Sequence, residues 1–533
     1  MNPRLRLWFE IALLLVLCAF LYFYRLDAFG LVGADEPRYA QVAREMLQKH
    51  DWVTPILYGQ PWLEKPILYY WRAMMAYEFF GANDLAARLP SATLTLFLVV
   101  VTYLWTRRFR PGAQLDTALI LAASVMMIGF GRAASTDMSL SAPFCAAMLC
   151  WWGWHQTDRK WWLVLFYALM GLGMLAKGPI APVLGGAIVV AYAVLRRDAK
   201  LVLRTLWIPG ILVFLAVALP WYIEVQLKTP QFFRTFFLEH NLARFSSNMF
   251  RHKQPVWYYL PVFLVAVLPW TTYVIAAILD VFRDRRFRLK NKQEPGDGLP
   301  MFLLLWTAIP VVFFTASQSK LPGYLLPAIP PALILAAEYI SRRVSEMDRP
   351  RLSLLGCHAA LNAIMVGALL LAPARIARSP LNSQMIFTAV VIAVLVLLGI
   401  MLLVLSRGLE FLRFATLLPV ILGVAFILRT VAPLVDATQS ERPVAAQMAS
   451  LGVAPNALVA TFKARREVEY GLAWYRNQAI KSYERLEIPD SAHVVVTRSG
   501  SEPELREILP GREIKPLGEY PPQGLEFFAV SGK

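Results

Sequence analysis

With 57% hydrophobic and only 17% charged residues over 533 positions, the chain falls well short of the charge content of a soluble domain, which excludes an ordinary soluble enzyme. Its formal net charge of +17 does not mark a nucleic-acid binder, because much of the positive charge lies in short loops between apolar blocks, where it sets membrane topology. The four cysteines, Cys18, Cys145, Cys150 and Cys357, all fall within apolar blocks and read as small hydrophobes, neither a disulfide framework nor a metal cage.

In chain order the apolar residues form about thirteen blocks long enough to cross a hydrocarbon core of about 30 Å. They cover residues 8–24, 91–106, 116–131, 138–155, 161–176, 180–196, 203–222, 256–280, 300–315, 323–341, 353–373, 384–406 and 412–431. Arg4 and Arg6 precede the first block, and no small-residue cleavage site follows it, so it is expected to remain as an anchor. Arg107, Arg108, Arg110, Arg159, Lys160, Arg196, Arg197, the 283–292 cluster, Arg342, Arg343 and Arg407 fall on the side of the N-terminus. The opposite side carries only Arg132, Lys177, Lys320, Arg375 and Arg378 in its short loops. The positive-inside rule therefore predicts a cytoplasmic N-terminus, and an odd number of spans an outward C-terminus.

Three outer segments interrupt this pattern: residues 25–90, 223–255 and 432–533. Residues 1–431 are read as a transmembrane module and 432–533 as a small soluble α/β domain, with strands at Ala457–Phe462, His493–Thr497 and Leu525–Val530 and a helix at Pro443–Leu451.

The first outer loop carries the densest chemistry. In Gly33-Ala-Asp-Glu-Pro-Arg-Tyr39, Asp35 and Glu36 stand before Pro37, which suits a first helical turn; residues 37–49 then have the pattern of an amphipathic interfacial helix. Trp62-Leu-Glu-Lys-Pro66 repeats the design ahead of a largely apolar helix over Ile67–Phe80. Dipole stabilisation accounts for a single acidic residue such as Glu36 at a helix start, but not for Lys65, a cation at the same kind of terminus. Nor does it account for Asp35, Glu36, Arg38, Glu64, Lys65 and Arg88 gathering in one mostly apolar protein. Cations beside open helix N-termini suit a phosphate.

The Ala-Asp-Glu-Pro-Arg-Tyr-Ala motif followed by Trp-Leu-Glu-Lys-Pro-Ile-Leu-Tyr-Tyr-Trp resembles the bacterial lipid A aminoarabinose transferases. That family lies in the GT-C superfamily with the protein O-mannosyltransferases and oligosaccharyltransferases. The resemblance covers the membrane portion and is most specific in the first loop; the tail offers no motif. It implies a polytopic helical fold of about thirteen spans with an outward soluble C-terminal domain. It also implies an inner-membrane enzyme moving a sugar, 4-amino-4-deoxy-L-arabinose, from undecaprenyl phosphate to lipid A with inversion. By the same resemblance Asp35 matches the family's catalytic aspartate, and Glu64 and Lys65 its Glu-Lys pair.

Other outer-side residues are candidates for substrate or phosphate contacts: Glu36, Arg38, Tyr39, Arg88, Arg132, Asp137, Lys177, Arg244, Lys320 and Tyr324. For each, the alternative is a solvated or snorkelling residue at an interface. Glu64 and His240 could share a divalent cation, but no metal-cage spacing exists, and the chemistry requires no cofactor. Asp35 is compatible with a base and with a group that positions the acceptor. The expected partners are a polyprenyl-phosphate-linked sugar, a glycolipid acceptor and the membrane itself, with no nucleic acid and a single copy of the chain. Within the enzyme class, the alternatives are another sugar or a protein or other glycolipid acceptor. A flippase or transporter is the rival class, disfavoured because the polar residues lie at span ends on one side rather than at the midplane.

Overall fold

The computed structural model describes residues 2–237, 254–283, 298–347 and 349–533. Among them, nine helices are long and apolar enough to cross a membrane, and two further pairs pass the same test together but are bent. Gln114–Ala122 and Val125–Gly131 meet at 62°; Val256–Ala266 and Thr271–Arg283 meet at 114°, with Pro269 in the break. Each predicted apolar block therefore has a helix or a bent pair. Ile180–Leu195 is short, and Asp137–Thr157 is the exception in composition. The latter opens on Asp137, Ser139 and Ser141 and is buried from Met138 to Trp154, so packing against other helices replaces contact with lipid. The chain is a polytopic helical membrane protein.

Several boundaries move. The predicted loop 25–90 ends early, because a helix runs over Asp84–Phe109. Its N-cap is Asn83, whose side chain accepts from the Ala86 N–H at 2.9 Å. Arg88 thus lies inside a spanning helix rather than in the loop. The helix expected to end near 222 continues to Lys228, and the last spanning helix continues to Gln439. Cys357 is exposed on its helix, unlike Cys18, Cys145 and Cys150, which are buried.

The first loop folds into the Asp35 helix (Asp35–Gln48), a short antiparallel pair of β1 (Ile56–Leu57) and β2 (Gln60–Pro61), and the Leu68 helix (Leu68–Phe80). The tail builds a five-stranded mixed sheet from β3 (Val459–Phe462), β4 (Lys481–Ser482), β5 (His493–Arg498), β6 (Ile514–Tyr520) and β7 (Leu525–Val530), in the order β4-β3-β5-β7-β6. β3 is parallel to β4 and β5, and β7 is antiparallel to β5 and β6. Val494, Val496 and Phe527 enter one core and Val495, Phe528 and Val530 another, so both faces of the sheet are covered. That explains why the strands read as continuous apolar runs.

The tail sits directly on the first loop. Val32 pairs with Ser440 as an isolated bridge, the Gly30 N–H donates to Asp436 at 2.7 Å, and the Leu31 N–H donates to the Tyr475 hydroxyl at 2.7 Å. The Trp474 indole N–H and the Tyr475 hydroxyl both donate to Asp84, at 3.0 and 3.1 Å. The amphipathic Asp35 helix is consequently covered on a second side, and its residues from Glu36 to Ala43 are buried.

Candidate active site

The Asp35 helix starts with Asp35 and Glu36 in its first turn, and the two carboxylates take opposite fates. Asp35 is exposed, with 57% of its side chain accessible, and accepts from Arg38 Nη2 at 2.5 Å. Arg38 is buried and also faces Glu64 at 3.9 Å, which draws the Trp62–Lys65 segment onto the helix start. Its guanidinium lies over three rings: Tyr39 and Trp62, each 5.3 Å from Arg38 Cζ, and Tyr470 at 5.4 Å. Burial alone would weaken its hold on its proton, but the Asp35 and Glu64 carboxylates more than offset that, and Arg38 stays a cation. Among the described residues Arg38 Nε, itself buried, has no hydrogen-bond partner. Lys65, half-buried, follows Glu64 directly.

Tyr39 follows Arg38 and is buried. Burial raises its hydroxyl well above the ordinary tyrosine range, with Asp35 and then Asp137 among the charges that add to the shift, so it stays a neutral donor. Asp137 forms an ion pair with Lys177 and accepts from the Ser135 hydroxyl at 3.1 Å. The Lys177 ammonium lies 5.4 Å from the centre of the Tyr324 ring. Gly323 fits only because it lacks a side chain: a Cβ there would stand 2.6 Å from Asp137 Oδ1. Lys177 is thus an ion-pair partner rather than a snorkelling residue.

Other candidates take structural positions. Arg88 is fully buried and donates to the carbonyls of Leu26, Phe29 and Gly30 and to Glu36. Glu36 also accepts from the backbone N–H groups of Val32 and Ala134. With those partners the Glu36–Arg88 pair organises the chain entering the loop, and its burial leaves no open face for a substrate. Arg132 likewise donates to the carbonyls of Leu21, Tyr24 and Arg25, tying off the end of the first spanning helix. Lys320 is buried and donates to the Ser317 carbonyl at 2.7 Å. Arg244 and His240 lie outside the described residues, so the Glu64–His240 pairing has no geometry here; among the described residues no group of three or more metal-ligating side chains gathers.

Sequence reasoning missed Tyr470, Ser135 and Gly323. Trp62 stood inside the motif without an assigned part. Nothing in the sequence paired it with Arg38, and nothing near Tyr470 in sequence pointed to the first loop.

Residues 8–236 match the family described as dolichyl-phosphate-mannose-protein mannosyltransferase. Among curated relatives, the undecaprenyl phosphate-alpha-4-amino-4-deoxy-L-arabinose arabinosyl transferase of Yersinia enterocolitica is 30% identical over 356 residues, covering 65% of this chain and 62% of the relative. The protein of the same name in Serratia proteamaculans is 32% identical over 337 residues, 61% of this chain and 58% of the relative. The chain therefore spans less than two thirds of the length of these relatives. In three dimensions it is similar to ArnT from Cupriavidus metallidurans bound to undecaprenyl phosphate, with a TM-score of 0.79, 25% identity and 97% of each chain covered. The apo state of that protein gives a TM-score of 0.78. The resemblance read from the first loop thus extends over 65% of the chain in sequence and 97% of it in structure.

Proposed function

We propose that this chain, a relative of the undecaprenyl phosphate-aminoarabinose transferases within the GT-C superfamily, is itself a membrane glycosyltransferase that moves an aminoarabinose-type sugar from undecaprenyl phosphate to the phosphate of lipid A. The observation that carries the reading is the first-loop cluster: an exposed Asp35 bonded to a caged, buried Arg38, with Glu64 facing it at 3.9 Å and Lys65 next to Glu64 in the chain. The donor's anomeric carbon is attacked by an acceptor oxygen while the bond to the lipid phosphate breaks, which inverts the centre through an oxocarbenium-like transition state. The departing phosphate takes the bonding electrons, and Arg38 and Lys65 supply the positive charge that stabilises it. A phosphate acceptor, with a second pKa near 6, is largely ionised at neutral pH and needs no base. Asp35 then orients the acceptor and offsets charge developing on the sugar.

The reaction so written uses no cofactor, and a chelator is expected to leave turnover unchanged; loss of turnover restored by a divalent cation would favour the reading in which Glu64 and His240 hold one. We place the N-terminus in the cytoplasm and the first loop and tail in the periplasm of an inner membrane, with the chain acting as a single copy. In a background with the native cysteines replaced, a cysteine at position 60 or 500 should react with a membrane-impermeant thiol reagent in spheroplasts, and one at 198 should not. The activity is tested by incubating the purified protein with defined undecaprenyl-phosphate sugars and lipid A and weighing the products by mass spectrometry. Absence of any glycosylated lipid A with every donor overturns the acceptor; transfer of another sugar overturns only the donor.

A further inference from the structure

The Arg466 helix of the tail (Arg466–Arg476) packs across the Asp35 helix. Two cation–ring contacts join them. Arg44 lies 4.1 Å from the centre of the Trp474 ring and donates to the Trp474 carbonyl at 2.6 Å. One helical turn away, Tyr470 faces Arg38, and this second contact differs in kind. Tyr470 is buried and stands between two guanidinium groups, Arg38 Cζ at 5.4 Å and Arg466 Cζ at 5.7 Å from its ring centre. Arg466 Nη2 donates to its hydroxyl at 3.1 Å, and Tyr58 of the first loop stacks on it with ring centres 6.4 Å apart.

We propose that Tyr470, backed by the Tyr58 ring, is a positioning residue of the transferase: its ring closes the third wall of the aromatic cage that aims Arg38 at Asp35 and at the phosphate of the lipid carrier. Tyr39 and Trp62 supply the other walls from within the first loop. Rings hold a guanidinium by its face and leave its edge donors available, whereas a third carboxylate would have consumed them. Arg38 Nη2 keeps its bond to Asp35 beside the three rings. A guanidinium with four rotatable bonds and one wall missing would sample other positions, and small displacements at a charge-stabilising group cost rate steeply. The tail is on this account part of the active site, not an appended module. This rests on the proposed transferase activity.

The test uses the full-length protein in detergent with four variants: Tyr470→Phe, Tyr470→Leu, Arg38→Lys, and Arg38→Lys with Tyr470→Leu. Melting temperature, turnover and retention of added undecaprenyl phosphate are measured on the same samples. The expected result is turnover within about threefold of wild type for Tyr470→Phe, which keeps the ring. Tyr470→Leu, which keeps apolar volume but not the ring face, should lose about tenfold or more in turnover and weaken retention of the lipid phosphate. The double variant should fall no further than Arg38→Lys alone, because Tyr470 acts through Arg38. Equal turnover of the Phe and Leu variants, or additive losses in the double variant, would overturn the inference. If wild type transfers no sugar, the reading of function fails separately, and retention decides: unchanged lipid-phosphate binding by Tyr470→Leu at an unchanged melting temperature overturns the positioning role.

Discussion

Arg88 and Glu36 meet at 2.8 Å where the side chain of Arg88 is wholly inaccessible, so this ion pair at the start of the first loop is sealed away from any ligand. The pair joins the second spanning helix to the start of the Asp35 helix, and backbone groups on both sides engage Arg88 Nη1 and Nη2 and both Glu36 oxygens. Removing one partner of such a pair strands a buried charge, which costs about 3–5 kcal/mol. Arg88→Leu should therefore lower the melting temperature and reduce the yield of folded protein. A variant that melts like wild type while losing activity would return Arg88 to the substrate site.

Asp35 lies one residue earlier and behaves differently, being exposed and bonded only to Arg38 among the described residues. Asp35→Asn keeps its shape and hydrogen-bonding capacity but not its charge. Turnover should drop by about 10² or more with the melting temperature unchanged. Turnover within threefold of wild type would remove Asp35 from the mechanism.

Gly323 offers a probe of the Asp137–Lys177 cluster that replaces no charged residue. A Cβ there would lie 2.6 Å from Asp137 Oδ1 and 2.9 Å from a Phe130 ring carbon, so Gly323→Ala must shift the Asp137 carboxylate away from Lys177. If the pair serves the site, turnover should fall by about tenfold while stability changes little. Gly323→Ala with full turnover would show that the Asp137–Lys177 geometry is not needed.

Glu441 carries a pH dependence of the tail. It is 2% exposed, its Oε2 has no hydrogen-bond partner among the described residues, and burial pushes its carboxyl up to about 8. Below the ordinary carboxylate range the group is protonated in both folded and unfolded chains and costs nothing. As pH rises from about 4.5 to 8 the unfolded chain loses the proton first, and stability falls, by an amount on the order of a few kcal/mol. Protection of tail amides from hydrogen exchange, corrected for intrinsic rates, should decline across that window. Glu441→Gln should flatten the decline and protect the tail better at pH 8; an identical slope in both proteins would dismiss Glu441 as its source.

The apolar blocks, the two acid-bearing motifs of the first loop and the three central strands of the tail were legible in the sequence, because each depends on local composition and period: block length against bilayer thickness, alternation or continuity in a strand, proline at a helix start. The division of labour among the charged residues was not. Asp35 and Glu36 are chemically alike and adjacent, and successive residues on a helix point about 100° apart, so local pattern says that they diverge but not which one meets solvent. That was decided by Arg88 and the Ala134 N–H, which reach Glu36 from distant segments, and by Arg38, which reaches Asp35 across one turn of its own helix. The early start of the Asp84 helix, with its Asn83 cap, carried Arg88 into the interior. Tyr470 was least legible of all. It belongs to a domain without a recognisable motif, and only the packing of one helix on another brings its ring to Arg38, because a cation's affinity for an aromatic face leaves no spacing rule along the chain.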